Sequence, residues 1–284
     1  MIPDLCISLV TRERPALLLS VLQETRANMT GKTLLIVQID RDDEATLEIH
    51  PQIKDWADVV DVRPRELSVG AKYNRALELD ARWYLMMGDH AAATPRGFDE
   101  AFVRAGDLFP DYLGVVGNGW TPGGATYRYH QAISRELAAL QGFIYPPYFP
   151  FWFVDTWLDE IAYGIDRYAY SGTTVHQYPK PNTMNRRDID FWCGYYNSLW
   201  PERRSIIERV LDNEAFQEPH WRRKLLRAQL PLMQDRSQRI SNFARSAVHA
   251  DIMRGAIQAP DSEHYQKAKT AAIEHLKRIS APGV

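Results

Sequence analysis

The sequence predicts an α/β fold with a mainly parallel central sheet and a C-terminal helical extension. Short, largely apolar runs recur through the first two thirds of the chain. Such runs have no wet face and read as strands covered on both sides. Segments with apolar residues at helical spacing separate them, the alternation that builds a parallel sheet. From about Pro201 the runs stop and charged, amphipathic helical patterns take over.

Leu5 to Val10 is the first strand, and it meets T-R-E-R-P at Thr11 to Pro15. Pro15 suits the first turn of the helix that follows. Thr33 to Ile39 is the second strand and ends in the acidic cluster Asp40, Asp42, Asp43 and Glu44. Val59 to Val62 is a third, short strand. Ser68 is a good N-cap for a helix to about Asp80. Trp83 to Met87, five apolar residues in succession, is the fourth strand, closed by Gly88 with Asp89 and His90 directly behind. Thr94 to Phe102 reads as a turn and a helix, with Pro95 near its start, and Leu113 to Val116 as another strand. The loop G-N-G-W-T-P-G-G after it is not a dinucleotide fingerprint, because Pro122 stands where the third glycine is required. It reads as a substrate loop or a plain connection. Tyr127 to Ile133 is a candidate strand leading into a helix from Ser134 to Leu140. The aromatic stretch Phe143 to Phe153 contains two adjacent prolines, which argue against a regular core strand. Val154 and Asp155 open a further helix, and Tyr168 to His176 is the last strand.

At 284 residues the chain holds one large domain, or a catalytic domain with an appended subdomain. Its net charge of −2 excludes a global basic field for nucleic acid. No apolar run approaches the roughly 18 residues of a membrane span. The N-terminus lacks a basic segment and carries Asp4 inside its apolar stretch, unlike a signal peptide. Cys6 and Cys193 have no metal-ligand spacing around them, and read as free buried thiols of a reducing cytoplasm.

Three acidic residues, Asp40, Asp89 and Asp155, follow apolar segments. In open α/β sheets ligands bind beyond the carboxyl ends of the strands, although aspartate is also common in turns and caps. In order, T-R-E-R-P, V-Q-I-D-R-D-D, V-G-A-K-Y-N-R-A-L, Y-L-M-M-G-D-H and F-W-F-V-D-T-W-L-D-E-I-A resemble the GT-A fold glycosyltransferases, in particular the inverting family-2-like enzymes. The resemblance covers roughly Ile2 to Asp190. It implies a Rossmann-like, mainly parallel sheet, with a catalytic domain over about 1–200 (nucleotide-sugar half to about 110, acceptor half beyond) and a helical region over 201–284. It also implies an enzyme of polysaccharide biosynthesis that moves a sugar from a nucleoside-diphosphate donor, a UDP-sugar first, to a glycan or lipid-linked acceptor.

Carried over by position, Thr11, Arg12, Arg14 and Asp40 would hold the base and ribose. A carboxylate can accept a hydrogen bond from a pyrimidine imide, which suits Asp40. Lys72, Asn74 and Arg75 would approach the nucleotide from their helix, although Lys72 reads equally as a solvated charge. Asp89 would correspond to the acidic motif that holds Mn²⁺ or Mg²⁺ on the diphosphate, where charge grows as the glycosidic bond breaks. The family motif is Asp-X-Asp, whereas this chain has Asp89-His90-Ala91. Either His90 or a distant ligand such as His176 completes the site, or metal dependence is weakened, and imidazole ligands would favour Mn²⁺. Asp155 matches the general base, with Asp159 and Glu160 as alternatives.

The resemblance does not reach the C-terminal helices. Ile206, Ile207, Val210 and Leu211 form one apolar face, Trp221, Leu225 and Leu226 a second, Ile240, Phe243, Ala247, Val248 and Ile252 a third, and Ile273 and Leu276 part of a fourth. The segment Trp221 to Leu230, with its four basic residues, would pack on the catalytic domain, on a second subunit in a homo-oligomer, or on an anionic membrane surface. Two competing functions are a nucleotidyltransferase, disfavoured because the first loop has no glycine, and a non-catalytic transferase-like scaffold, favoured by the incomplete acidic motif.

Overall fold

Alternation along the first strand divides the core in two. In β1 (Leu5–Val10), Leu5, Ile7 and Leu9 join the apolar cluster under the first helix, α1 (Pro15–Asn28), while Cys6 joins the cluster on the opposite face. Both sets are buried, which is why the strand has no polar face. The computed structural model describes residues 2–119, 130–178, 188–253 and 262–280. The next elements are β2 (Thr33–Asp40), α2 (Glu44–Glu48), α3 (His50–Lys54), β3 (Val59–Arg63) and α4 (Val69–Asn74). Ser68 caps α4 as expected, accepting from the Ala71 N–H. The helix expected to run to Asp80 instead tightens at Arg75–Glu78 into a 3-10 turn.

β4 (Trp83–Gly88), β5 (Ala91–Thr94), α5 (Phe98–Gly106), β6 (Val115–Gly117), β7 (Gln131–Ser134), α6 (Arg135–Gln141), α7 (Val154–Gly164), β8 (Tyr168–Tyr170) and β9 (Thr174–Gln177) follow. The main sheet has the order β3-β2-β1-β4-β7-β6-β8. β1 pairs in parallel with both β2 and β4, while β7 runs antiparallel between β4 and β6. The chain steps outward from β1 to β3, then returns to place β4 on the other side of β1. That reversal is a topological switch point, where open α/β sheets bind ligands.

Two expectations change here. The last strand is two strands: Gly172, in the left-handed region at φ +74°, turns the chain between them. β8 joins the main sheet, while β9 pairs with β5 in a separate two-stranded sheet. Of the loop G-N-G-W-T-P-G-G, residues 120–124 lie outside the described residues, as do Tyr127 to Tyr129 of the expected strand.

The C-terminal part comprises α8 (Ile189–Ser198), α9 (Trp200–Asp212), α10 (His220–Met253) and α11 (Glu263–Ser280). Two of the expected apolar faces belong to the single 34-residue helix α10. That helix packs over only part of its surface: Leu226 and Val248 are buried, while Trp221, Leu225 and Phe243 are exposed. Its basic residues dock it instead. Arg222 pairs with Asp166, Arg227 with Asp212, and Arg223 donates to the carbonyls of Leu211, Asn213 and Phe216. One apolar cluster runs from Cys6 of β1 to Ala272 of α11, so the helical extension shares a core with the sheet. Among the described residues, no helix is long and apolar enough to cross a membrane.

Candidate active site

A cleft of about 500 Å³ opens at the carboxyl ends of β1, β2 and β4, at the switch point. Two buried carboxylates anchor it. Asp40, the last residue of β2, lies 3.0 Å from the Lys72 Nζ and 3.4 Å from an Arg12 Nη1. The Lys72 ammonium also donates to the Thr11 carbonyl at 2.8 Å. Lys72 is therefore a buried tie between α4 and the ends of β1 and β2, and its burial pushes its pKa down against the pull of Asp40. Arg12 reaches on to Asp42 with two hydrogen bonds of 2.9 and 3.1 Å. Asp43 caps α2 through the Thr46 N–H and accepts from the Glu13 N–H, which fixes the loop after β1.

Asp89, just past β4, accepts from the Thr11 hydroxyl at 2.9 Å and from Arg14 at 3.0 Å, with the His90 Nδ1 at 3.6 Å. Burial works to raise its pKa, but the adjacent His90 imidazole, the Arg14 charge and the Thr11 hydroxyl outweigh it and hold the carboxyl below its usual range. Thr11, Arg12, Arg14, Asp40, Lys72, Asp89 and His90 thus line one cleft.

Asn74 does not. Its side chain donates to the Tyr145 carbonyl and accepts from the Ile144 and Tyr145 N–H groups, clamping the aromatic stretch to α4. Gly70 permits that approach, since a Cβ there would lie 2.2 Å from the Pro146 carbonyl oxygen. Arg75 is likewise committed, to the Pro64 carbonyl and Glu66.

Asp155 sits exposed in the first turn of α7 and is not among the residues lining the cleft. Its carboxylate accepts from the Thr156 N–H at 2.8 Å. A polar path joins its backbone to the cleft wall. Tyr73 lines the cleft and packs edge-on against Tyr145, the Tyr145 hydroxyl donates to Gln131, and Gln131 donates to the Asp155 carbonyl and to the Asp159 carboxylate. Phe153, two residues before Asp155, is held at φ +63° and stacks on Tyr196. A bulky residue in that region costs of order 1–3 kcal/mol, and such strain concentrates at functional sites. Glu160 is excluded as a base: it is buried in an ion pair with Arg203 at 2.8 Å.

Of the expected metal ligands, Asp89 and His90 lie side by side in the cleft and His176 does not join them. His176, on β9, turns its Nδ1 to Glu24 of α1 at 2.8 Å, and the Tyr178 hydroxyl joins it there. It does not line the cleft with Asp89 and His90. Among the described residues no three His, Cys, Asp or Glu side chains converge on a metal position, and the remaining segments contain only Asp261 of these types. Magnesium takes near-octahedral oxygen coordination. Both oxygens of Asp89 are already engaged, one by the Thr11 hydroxyl and the other by Arg14, so a cation bound there would first have to displace the guanidinium.

Several cleft residues carry no local sequence signal. Arg65 and Glu66 come from the loop after β3, and Ser262, His264 and Tyr265 from the start of α11. Tyr265 donates to Asp188 at 2.9 Å and stacks on Phe151, which seats the C-terminal helix on the cleft. Beneath the end of β4, His130 is fully buried beside His90, and burial above all pushes its pKa down to about 3. Unfolded, it takes up a proton near 6.5; folded, it does not until about 3. Its contribution to stability is therefore complete at neutral pH and is lost as pH falls below about 6.5, at up to ~1.4 kcal/mol per pH unit. Urea titrations at several pH values between 7.5 and 5 should show this slope in the wild type and a flatter one in His130→Leu; equal slopes would show His130 protonated in the fold.

A parallel sheet with its cleft at the β1/β4 switch point and an antiparallel β7 between β4 and β6 is the GT-A architecture of glycosyltransferases. Solved structures bear this out. The chain superposes on S. aureus TarS in complex with UDP-GlcNAc with a TM-score of 0.53 and 10% identity, over 96% of this chain and 80% of that one. It superposes on the mannosyltransferase PcManGT from Pyrobaculum calidifontis, in complex with GDP-Man and Mn²⁺, with a TM-score of 0.50 and 14% identity, over 99% and 88%. At these identities the likeness is one of fold. No protein-family model and no curated protein matches the sequence.

Proposed function

We propose that this protein is an inverting glycosyltransferase that moves a sugar from a nucleoside-diphosphate donor to the hydroxyl of a glycan or lipid-linked acceptor. The observation that carries this reading is the convergence of Asp40 and Asp89, from the ends of β2 and β4, on one cation-lined cleft at the switch point of a GT-A sheet. Arg12 and Asp40 would hold the base and ribose, with a UDP-sugar the first candidate because a carboxylate accepts from an imide N–H. The diphosphate would lie toward Asp89 and Arg14. Asp155 would take the proton of the acceptor hydroxyl as its oxygen attacks the anomeric carbon from the face opposite the diphosphate. The carbon–oxygen bond to the diphosphate then breaks, and the nucleoside diphosphate leaves with the bonding electrons. The strained Phe153 and the Gln131–Tyr145–Tyr73 path support that role, because they fix the start of α7 relative to the cleft.

Thermal melts with UDP and with GDP test the reading. A nucleotide at about 100 times its Kd stabilises the fold by ~2.7 kcal/mol, which should raise the Tm by roughly 4–5 °C for a chain of this size. No shift with either nucleotide, together with no consumption of UDP- or GDP-sugars, would remove the proposal.

A further inference from the structure

We propose that the cleft neutralises the donor's diphosphate with the protein's own cations, Arg14 and Arg65 foremost, in place of a divalent metal ion. This rests on the glycosyltransferase reading, since it presumes that a nucleoside diphosphate is the ligand. The departing diphosphate gains negative charge, so some positive charge must face it. The position a metal would take is already held: Arg14 donates to one oxygen of Asp89 at 3.0 Å and the Thr11 hydroxyl to the other at 2.9 Å. A dication placed on the same carboxylate would sit within a few ångströms of the guanidinium and be repelled by it. The other carboxylates of the cleft are committed too, Asp40 to Lys72 and Arg12, and Glu66 to Arg75.

The lining carries four cationic side chains, Arg12, Arg14, Arg65 and Lys72, against three carboxylates, Asp40, Glu66 and Asp89. That excess of positive charge already faces the position a diphosphate would take. Arg14 is about a third exposed, and Arg65 has a long ion pair to Asp42 at 4.0 Å. Both guanidinium groups therefore retain donors for a phosphate, which they can grip in a bidentate way. Burial, and then the neighbouring Arg12, lower the Arg65 pKa; burial, and then Arg65, lower that of His264. Those repulsions mark a region of positive potential, which a bound diphosphate would relieve.

Calorimetry on the full chain separates the outcomes, with UDP, GDP, uridine and guanosine each titrated in EDTA and in Mn²⁺. The nucleotide that binds should do so with a Kd that agrees within about threefold between the two conditions, because no metal bridge is made or lost. Arg14→Met and Arg65→Met should each weaken the diphosphate at least ~10-fold, while the matching nucleoside changes by less than about twofold. Diphosphate binding that collapses in EDTA and returns with Mn²⁺ would overturn the inference and leave the glycosyltransferase reading standing. So would arginine variants that bind the diphosphate as the wild type does. If no nucleotide binds in either condition, the glycosyltransferase reading itself falls, and the inference with it.

Discussion

Asp155→Asn should lower turnover by ~10²- to 10⁴-fold, the range that general-base catalysis supplies, while nucleotide affinity stays within about twofold of the wild type. The amide keeps the size and shape of the carboxylate but cannot take the acceptor's proton. Binding should survive because Asp155 does not line the donor cleft. Neighbouring acids offer little rescue. Glu160 is 2% exposed and paired with Arg203, and Asp159 accepts a 2.7 Å hydrogen bond from Gln131. The measurement is donor consumption over a panel of glycan acceptors, with nucleotide affinity determined on the same preparation. Retained turnover would remove Asp155 from the mechanism. Loss of turnover in Asp159→Asn with Asp155→Asn active would move the base four residues along the helix.

Arg203→Met should destabilise the fold by roughly 3–5 kcal/mol at neutral pH, the cost of leaving a buried charge without its partner. Arg203 is fully buried. Its Nε lies 2.8 Å from Glu160, its two other nitrogens donate to the Tyr196 carbonyl and the Ser237 hydroxyl, and its guanidinium stacks on the Tyr196 ring. One side chain thereby joins α7, α8, α9 and α10. Burial raises the Glu160 pKa even with Arg203 present, and removing the cation raises it further. A raised folded-state pKa favours the fold below the unfolded value and loses that advantage as pH climbs through the folded one. The penalty of the substitution should therefore be smaller near pH 5 than near pH 8. Urea denaturation at both pH values checks this, and Glu160→Gln combined with Arg203→Met should recover part of the loss. A single-mutant cost below about 1 kcal/mol at both pH values would show that the pair does not hold the extension to the sheet.

The metal question shows where sequence reasoning stops. Asp89-His90-Ala91 departs from Asp-X-Asp, and the order of the strands offers His176 as the distant ligand. Its imidazole instead meets Glu24, a residue 152 positions away, because β9 pairs with β5 rather than extending the main sheet. Nothing in the local pattern of Tyr168 to His176 distinguishes one strand from two. Arg65 and His264 were missed for the same reason: each lies in a segment with ordinary composition and reaches the cleft only because of where its element ends. Lys72, a plausible solvated helix charge in one dimension, becomes a buried tie once α4 lies against β1.

Residue by residue, the sequence alone determined the four parallel strands β1 to β4, the cap at Ser68, and the placing of Asp40 and Asp89 at strand ends. Those features depend on local burial and turn chemistry, which the nearest neighbours along the chain already express. Tertiary structure alone decided which residues share the cleft, that Arg14 and Thr11 hold the Asp89 carboxylate, and that the C-terminal helices complete the site. These depend on side chains tens to hundreds of positions apart being brought within hydrogen-bonding distance, and periodicity along a chain carries no record of such encounters.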